Sequence, residues 1–276
     1  LVDENRSQNQ NTIPKMKIEE DFLNIVLIIL ESHTGLHCNY LNSSLKETIS
    51  PFLDSLSRES INFKNCYSNG TRTAYGLSSI LCSWPVVPGY PLNRYPKYQN
   101  QKTTKPTFSS IIKTINNNYK TVFMYGGDSN FDEMKPFVKA NQFDKVIDRI
   151  TDADLQKLSL DNKNQGVNPW GIFDEYLFKK YIELMDNNDE PTFTTILSTT
   201  NHVPWLIPDS LKSKIPNYTS NKKNFEDSKK TMRYVDIVLE RFFNEIKNTL
   251  LLYPTSLAAK GLNILCSIYN KGVLLL

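Results

Sequence analysis

Short apolar runs alternate with amphipathic stretches along most of this chain. The run NIVLIIL at residues 24–30 is continuous and rich in β-branched residues, which is typical of a strand covered on both faces of a parallel sheet. Similar patterns predict strands over residues 120–125 and 193–197, and residues 61–67 form a further β-rich run. Polar residues or glycines follow each run, which indicates where the strands end.

Amphipathic helices are predicted between these strands. Apolar residues from Met232 to Ile246 recur at three- and four-residue steps, which predicts a long helix. Shorter helices are predicted over residues 44–57 with an interruption at Pro51, 106–117, 130–141 with a local break at Pro136, and 170–185. Strands that alternate with helices predict an α/β fold, in which a mostly parallel central sheet is flanked by helices.

Composition divides the 276 residues into three parts. Residues 1–20 are rich in Asn, Gln, Lys and Glu and are predicted to form a polar linker. Residues 21–250 carry the alternating pattern and are long enough for one large domain. Residues 251–276 form a tail of different character. The chain begins with Leu rather than Met, which suggests a piece of a longer protein, and no apolar run reaches the length that spans a bilayer.

Charge and cysteine spacing argue against several classes of function. The formal net charge is only +3, so nucleic acid is a poor candidate partner. The four cysteines contain no CxxC spacing, which argues against a zinc site or a disulfide framework built from them. Three of the cysteines lie in or beside predicted core elements and are expected to be plain buried thiols.

Polar side chains gather where the predicted strands end. Glu31 follows the first strand, Asp128 follows the strand over 120–125, and His202 follows the strand over 193–197. Thr73 lies after the β-rich run 61–67, where an apolar helical run begins. Ligands of parallel α/β sheets bind beyond the carboxyl ends of the strands, so these four residues are expected to converge.

Each candidate side chain has a structural and a chemical interpretation. Thr73 can be a simple helix N-cap, or a nucleophile toward phosphorus if a metal lowers its pKa. Glu31 can be a surface residue, or can hold Mg²⁺ or Mn²⁺ together with Thr73. His202 can be a packed residue, or can donate to a phosphate and protonate a leaving group. For Asp128 a cap is favoured over a substrate ligand, and for Trp170 a core role over a substrate platform.

Several stretches, taken together, resemble the lipoteichoic acid synthase and phosphoglycerol transferase branch of the sulfatase-like, alkaline phosphatase superfamily. The two specific stretches are SNGTRTAYGLSSILCS at residues 68–83 and STTNHVPW at residues 198–205. Residues 24–32, the YGGD-containing stretch 124–148, WGIFDEYLF at 170–178 and residues 234–243 also match, in the order of that family. The resemblance covers roughly residues 22–250.

This resemblance implies a site and a reaction. Thr73 would be the nucleophile, forming a covalent phospho-threonine, and Glu31 and Thr73 would bind a divalent ion (Mn²⁺, Mg²⁺ or Zn²⁺). His202 would contact the substrate phosphate, with Asn201, Asp128 and Trp170 as further substrate-binding residues. The partners implied are a phospholipid head group and a cell-envelope glycan acceptor. The catalytic domain would lie outside the cytoplasmic membrane, behind an N-terminal anchor that this chain lacks.

The sequence departs from that family at two places. A His, a Trp and an Arg of the lipoteichoic branch are absent in the region of Tyr125, Asp132 and Met134. An adjacent Asp-His pair, which supplies two further metal ligands after the long helix, is also absent, since no histidine follows His202. A frame change or truncation near residue 250 would explain a divergent tail and a fold incomplete at its C-terminus. We therefore expect weak activity or none.

Two other functions stay open. The first is sulfate-ester hydrolysis on the same fold, which needs a Cys or Ser followed by x-Pro-x-Arg. Neither Cys66 nor Cys82 has that context. The second is a catalytically dead binding module or fragment, which the missing Asp-His pair favours.

Overall fold

A central sheet dominates the computed structural model of this protein. The model describes residues 24–63, 67–85, 89–100, 107–115, 117–160, 166–188, 190–220, 223–252, 261–267 and 273–275. The strands are β1 (Asn24–Leu30), β2 (Ile61–Phe63), β3 (Lys120–Tyr125), β4 (Lys145–Asp148), β5 (Val167–Asn168), β6 (Gly171–Ile172), β7 (Thr192–Leu197), β8 (Gly261–Ser267) and β9 (Val273–Leu275). Within these ranges, β5 and β6 form a separate pair and the other strands form one seven-stranded sheet in the order β2-β9-β8-β1-β7-β3-β4.

The large sheet is mostly parallel, as the sequence pattern predicts. β1 pairs in parallel with β7 and β8, and β3 pairs in parallel with β7 and β4. β9 runs antiparallel to both of its neighbours, β8 and β2. The α/β fold class is confirmed, and the carboxyl ends of β1, β3, β4 and β7 lie along one edge of the sheet.

Helices cover both faces of this sheet. They are α1 (Pro51–Glu59), α2 (Thr73–Cys82), α3 (Phe108–Ile115), α4 (Met134–Ala140), α5 (Ala153–Leu160), α6 (Asp174–Asp186), α7 (Asp209–Lys212) and α8 (Lys223–Leu252). Val26 and Ile28 point into a core shared with α6 and α8, whereas Leu27 and Ile29 point into a core shared with α2 and α4. Because alternate residues of a strand face opposite sides, a strand buried on both faces favours apolar residues at successive positions, which explains the uninterrupted run in β1.

Two predicted helices begin later than their patterns suggested. The helix over 44–57 is α1, which begins only at Pro51, and the residues before it are not helical. Proline is well placed in the first turn of a helix, where its missing N–H leaves no bond unmade, so Pro51 starts this helix instead of interrupting it. The helix over 170–185 is α6, which begins at Asp174, so the expectation that Trp170 opens a helix is wrong.

The segment 130–141 also differs from its prediction. A 3₁₀ turn at Phe131–Glu133 precedes α4, and Pro136 lies in the first turn of α4 without breaking it. The chain changes direction instead at Asp132 and Glu133, which both have positive φ angles of 54° and 56°. Propensity gave no sign of this left-handed pair.

The structure describes part of the C-terminal tail but not the N-terminal segment. Residues 1–23 lie outside the described residues, so the polar linker stays a prediction. In the tail, residues 261–267 and 273–275 form β8 and β9, and β8 lies beside β1. None of the helices in the described ranges has the length and apolarity that crossing a membrane requires.

Candidate active site

A cavity of about 210 Å³ lies at the carboxyl-end edge of the sheet. It is lined by Glu31 after β1, Tyr125 at the end of β3, Ser198 and Thr199 after β7, and Thr73 at the start of α2. The rest of its lining comprises Thr71, Arg72, Arg94, Phe131, Asp132, Trp170 and His202. The edge that topology assigns to ligand binding thus carries a polar cavity.

Glu31 is a nearly dry carboxylate at the floor of this site. Only 5% of Glu31 is exposed to solvent. Both of its side-chain oxygens accept a hydrogen bond from a hydroxyl group, Oε1 from Ser32 and Oε2 from Thr73, each at 2.9 Å. Its backbone N–H donates to Oγ of Ser198, which ties the ends of β1 and β7 together. Burial raises the pKa of Glu31, and the hydroxyl donors oppose that shift only in part. A surface location for Glu31 is therefore excluded.

Thr73 occupies the first position of α2 and does not cap it. The N-cap is Arg72, whose side chain makes no capping bond, and the Thr73 hydroxyl donates to Glu31 instead. The two residues that were expected to meet are 2.9 Å apart between Oγ1 and Oε2. Their roles as nucleophile and metal ligands stay predictions, but their side chains share one hydrogen bond inside the cavity.

His202 and Trp170 form an aromatic wall of the same cavity. Their ring centroids are 4.0 Å apart, and Phe131 packs edge-on against Trp170 at 5.9 Å. The carbonyl of Val203 lies 3.0 Å from Nδ1 of His202 and accepts a 2.5 Å hydrogen bond from Nε1 of Trp170. Because a carbonyl can only accept a hydrogen bond, the proton of this contact lies on Nδ1 of His202. Nε2 is the ring nitrogen that this contact does not use. Trp170 is thus at the cavity and not in the core.

Asn201 and Asp128 do not line the cavity. The side chain of Asn201 is buried, with Nδ2 donating to the carbonyl of Ser32 at 2.9 Å and Oδ1 accepting from Thr231 at 2.6 Å. Oδ1 of Asp128 accepts from the backbone N–H and the side-chain amide of Asn130, so Asp128 stabilises a turn, whereas the N-cap of the following 3₁₀ turn is Asn130 and not Asp128 as expected. These contacts favour positioning roles for both residues.

Two arginines of the cavity were not identified from the sequence. Arg72 lies within the TRT stretch, where a cation beside the candidate nucleophile was a usable signal. Arg94 lies in a 3₁₀ turn and forms an ion pair with Asp132, and the neighbouring Asn93 donates to the Asp132 carbonyl at 2.6 Å. Of the three residues in the region where the sequence departs from the family, Tyr125 and Asp132 line the cavity, whereas Met134 is fully buried in the core. No periodic pattern marks Arg94, because its place depends on a contact between two irregular loops.

Asp174 supports the cavity from behind. Its Oδ1 accepts the backbone N–H groups of Thr199 and Thr200 at 2.8 and 3.2 Å, and its residue is fully buried. Burial raises the pKa of Asp174 to about 6, and the nearby charge of Glu31 adds to the shift. The sequence signal was an acidic residue in the first turn of α6, which alone indicates only an ordinary helix start.

The donor atoms around Thr73 match one side of a hard-cation site. A carboxylate and a hydroxyl oxygen are ligands that Mg²⁺ and Mn²⁺ accept. Across the described ranges, however, no cluster of three or more His, Cys, Asp or Glu residues suited to a metal is found. β8, the strand beside β1, ends with Cys266-Ser267, and the sequence after it contains no Asp or His. The residues therefore fit such an ion only in part.

Comparison with known proteins shows which family this chain belongs to. A family model described as Sulfatase matches residues 23–259. Lipoteichoic acid synthase 2 of Bacillus subtilis (strain 168) is 22% identical over 227 residues, which are 81% of this chain and 32% of the relative. The chain spans about a third of the length of the curated relatives that it matches.

Solved structures share the fold of this chain. A protein in the alkaline phosphatase superfamily from Vibrio parahaemolyticus has a TM-score of 0.72 at 23% identity, over 93% of this chain and 60% of that chain. Lipoteichoic acid synthase LtaP from Listeria monocytogenes has 0.70 at 19% identity, over 92% and 59%. The periplasmic domain of EcEptC from Escherichia coli, in complex with Zn, has 0.61 at 16% identity, over 90% and 64%. The expected alkaline phosphatase-like architecture is confirmed.

Proposed function

Because the chain belongs to the sulfatase family, we propose that its cavity transfers a phosphoryl-linked head group, of phosphoglycerol type, through Thr73. The donor is a phospholipid and the acceptor a cell-envelope glycan, at the extracytoplasmic face of the membrane. The observation that carries this proposal is a hydrogen bond at the N-terminus of α2. The hydroxyl of Thr73, the first residue of that helix, donates to the buried carboxylate of Glu31. The resemblance to lipoteichoic acid synthases supports the class of donor and acceptor.

The atoms of the site suit a two-step transfer. In the first step Oγ1 of Thr73 bonds to phosphorus, the bond from phosphorus to the diacylglycerol oxygen breaks, and Glu31 accepts the Thr73 proton. His202, whose Nδ1 proton is used for the Val203 carbonyl, acts in its doubly protonated form and gives the proton on Nε2 to the departing oxygen. In the second step an acceptor hydroxyl bonds to phosphorus and gives its proton to His202, while the bond to Thr73 breaks and Glu31 returns its proton to Oγ1 of Thr73, which restores the free hydroxyl.

Binding of the phosphate group is supported by positive charge around Thr73. The N-terminal end of α2 offers unpaired backbone N–H groups and the positive end of the helix dipole. Arg72 and Arg94 line the same cavity, and an arginine paired with one carboxylate keeps further N–H donors for an anion. The aromatic wall of Trp170 and His202 closes the opposite side.

We propose that turnover by this chain is weak. A divalent ion (Mn²⁺, Mg²⁺ or Zn²⁺) held by Glu31 and Thr73 would lower the hydroxyl pKa and neutralise a phosphoryl oxygen. Among the described residues no third His, Cys, Asp or Glu completes such a site, and the given sequence holds no Asp-His pair after the long helix. Loss of two ligands lowers the affinity for the ion. In most molecules the ion would then be absent and the Thr73 hydroxyl would stay protonated.

A covalent adduct tests the proposal directly. The protein is incubated with phosphatidylglycerol vesicles and Mn²⁺, and intact-mass and peptide mass spectrometry follow a glycerol-phosphate adduct. We expect the adduct on Thr73, its loss in Thr73→Ala, and its persistence in Thr71→Ala, because Thr71 lines the same cavity but Thr73 is the residue that donates to Glu31. An adduct that survives in Thr73→Ala contradicts the proposed nucleophile.

A catalytically dead binding module is the second candidate, and the incomplete set of metal ligands favours it. The adduct experiment separates the two functions, since a Thr73 adduct supports the enzyme, whereas binding of phosphatidylglycerol vesicles with no adduct supports the module. Sulfate-ester hydrolysis has less support, because a threonine occupies the nucleophile position and Cys82 lies at the far end of α2.

A further inference from the structure

A second cavity, of about 650 Å³, is lined in part by two loops that also contribute to the Thr73 cavity. Its walls come from the loop after β1, the loop after β7 and the start of α8, and they include Leu36, Trp205, Phe225 and Lys223. Leu36 and Phe225 are 62% and 50% exposed. An opening lined by protruding apolar side chains is unusual on a solvated surface and marks an interaction site.

Two more exposed apolar residues extend this surface. Val203 and Leu206 flank Trp205 in the chain and are 52% and 44% exposed. We call the five residues Leu36, Val203, Trp205, Leu206 and Phe225 the apolar rim. Packing within the described residues does not account for the apolar character of these positions, because a large part of Leu36, Val203, Leu206 and Phe225 stays exposed.

The apolar rim and the Thr73 cavity are built on the same two loops. The loop after β1 carries Glu31 into one cavity and Leu36 into the other, and the loop after β7 does the same with His202 and Trp205. The carbonyl of Val203 holds the ring of Trp170, while the Val203 side chain is exposed. An object that covers the apolar rim therefore contacts the same loops that line the Thr73 cavity.

We propose that the apolar rim docks on the surface of an anionic phospholipid bilayer. Leucine, valine and phenylalanine side chains would enter the acyl boundary, and Trp205 suits the interface because its indole is both apolar and hydrogen-bonding. Lys223 lines the same cavity and makes no ion pair among the described residues, so its ammonium is available to a lipid phosphate while its alkyl chain lies along the rim.

This inference rests on the proposed function, because a lipid donor gives the head-group cavity a reason to face a bilayer. Docking at the apolar rim would present head groups to Thr73 while the acyl chains stay in the membrane. A second copy of the chain is a less favourable occupant, since a two-fold contact across this rim would bring the two Lys223 side chains together.

Vesicle flotation tests the docking surface. The 276-residue chain is mixed with vesicles of phosphatidylglycerol and phosphatidylcholine, or of phosphatidylcholine alone, and the bound fraction is measured. We expect binding to the anionic vesicles, and about a tenfold fall in the bound-to-free ratio in the double variant Leu36→Ser/Phe225→Ser. Lys223→Gln should weaken binding to anionic vesicles and reduce its salt dependence.

A matched control removes an equally exposed apolar side chain from the other face of the sheet. Ile111 on α3 is 46% exposed, and α3 packs on the core that faces away from α8. Ile111→Ser should bind vesicles like the parent chain. The proposal is overturned if the parent chain stays in the aqueous phase, if Ile111→Ser loses as much binding as the double variant, or if light scattering shows a dimer that the double variant dissolves.

Failure of the docking surface can be told from failure of the proposed function. Thr73→Ala should lose the phospho-adduct and keep vesicle binding. The double rim variant should lose vesicle binding and keep its rate with a water-soluble phosphodiester such as bis(p-nitrophenyl) phosphate. If that rate falls equally, the rim residues act on the cavity itself and the membrane interpretation is wrong.

Discussion

Oδ1 of Asp174 accepts the backbone N–H of Thr199 at 2.8 Å, and this bond joins the first turn of α6 to the wall of the cavity. A second bond to the N–H of Thr200 secures the same strand end. The carboxylate is fully buried, and its other oxygen, Oδ2, has no hydrogen-bond partner. A charge in this position is costly, so Asp174 positions the cavity wall at the expense of stability.

We expect Asp174→Asn to change how stability depends on pH. The pKa of Asp174 is raised to about 6 from an ordinary 3.8, so the folded state favours the neutral acid. Stability from this group is present at low pH and is lost as pH rises through 3.8 to 6, by about 2 to 3 kcal/mol between pH 4 and pH 8. Asparagine does not ionise, so the variant should gain that amount relative to the parent over the same range.

Urea unfolding at several pH values measures this difference. Asp209→Asn is a suitable control, because Asp209 is exposed beside Lys212 and its removal should shift stability little at any pH. If the free-energy difference between Asp174→Asn and the parent chain is the same at pH 4 and pH 8, Asp174 is not a buried titrating group.

The sequence predicted the sheet because burial leaves a clear pattern in it. β1 and β7 are covered on both faces, so their apolar runs have the bounds of the strands to within one residue. β4 has only four residues and α5 has a weakly apolar face, and neither was predicted. Short elements are stabilised by the neighbours that they pack against, which a local pattern does not contain.

The same division applies to the site. Glu31 and Thr73 could be placed together from topology alone, because strand ends meet at one edge of a parallel sheet. Arg94 reaches the cavity through a contact with Asp132, which depends on two left-handed residues in an irregular turn. The carboxylate of Asp236 accepts the N–H groups of Phe52 and Leu53 and caps α1, although 184 and 183 residues of chain separate the partners. Such long-range partners follow from the fold and not from spacing.

Asn201→Ala should destabilise the chain by about 2 kcal/mol, because both ends of the buried amide are engaged. Its loss would leave the carbonyl of Ser32 and the hydroxyl of Thr231 without these partners. Asn130→Ala, which removes an amide that is exposed and bonded only to Asp128, should cost less than about 0.5 kcal/mol. Thermal and urea unfolding compare the two variants, and equal losses would remove the case for Asn201 as a positioning residue.

Trp170→Phe should slow formation of the Thr73 adduct by about tenfold, because the ring loses its hydrogen bond to Val203 and His202 loses a fixed neighbour. Stability should change little, since Trp170 stands at the cavity. Trp84→Phe is the matched control, because Trp84 packs on Tyr98 and Phe137 away from the site. Rapid-quench mass spectrometry gives both rates, and equal rates for Trp170→Phe and the parent chain would show that the wall does not hold His202 for catalysis.

Glu31→Gln should separate the metal-binding role of Glu31 from its cost to folding. Because burial raises the pKa of Glu31, the charged form is disfavoured in the folded state. Stability from this group is therefore full below its ordinary pKa of 4.5 and declines as pH rises through the folded-state pKa. The variant should be more stable than the parent at pH 8 and similar at pH 4, as melting temperatures would show.

The same variant should lose its response to Mn²⁺. With one carboxylate and one hydroxyl, we expect the parent chain to bind Mn²⁺ with a Kd of about 1 mM or weaker, and 10 mM Mn²⁺ should raise its melting temperature measurably. Glu240→Gln, which removes the same charge from an exposed position on α8, should keep that rise. A rise that persists in Glu31→Gln would place the ion elsewhere and remove the shared-ligand basis of the Glu31–Thr73 pair.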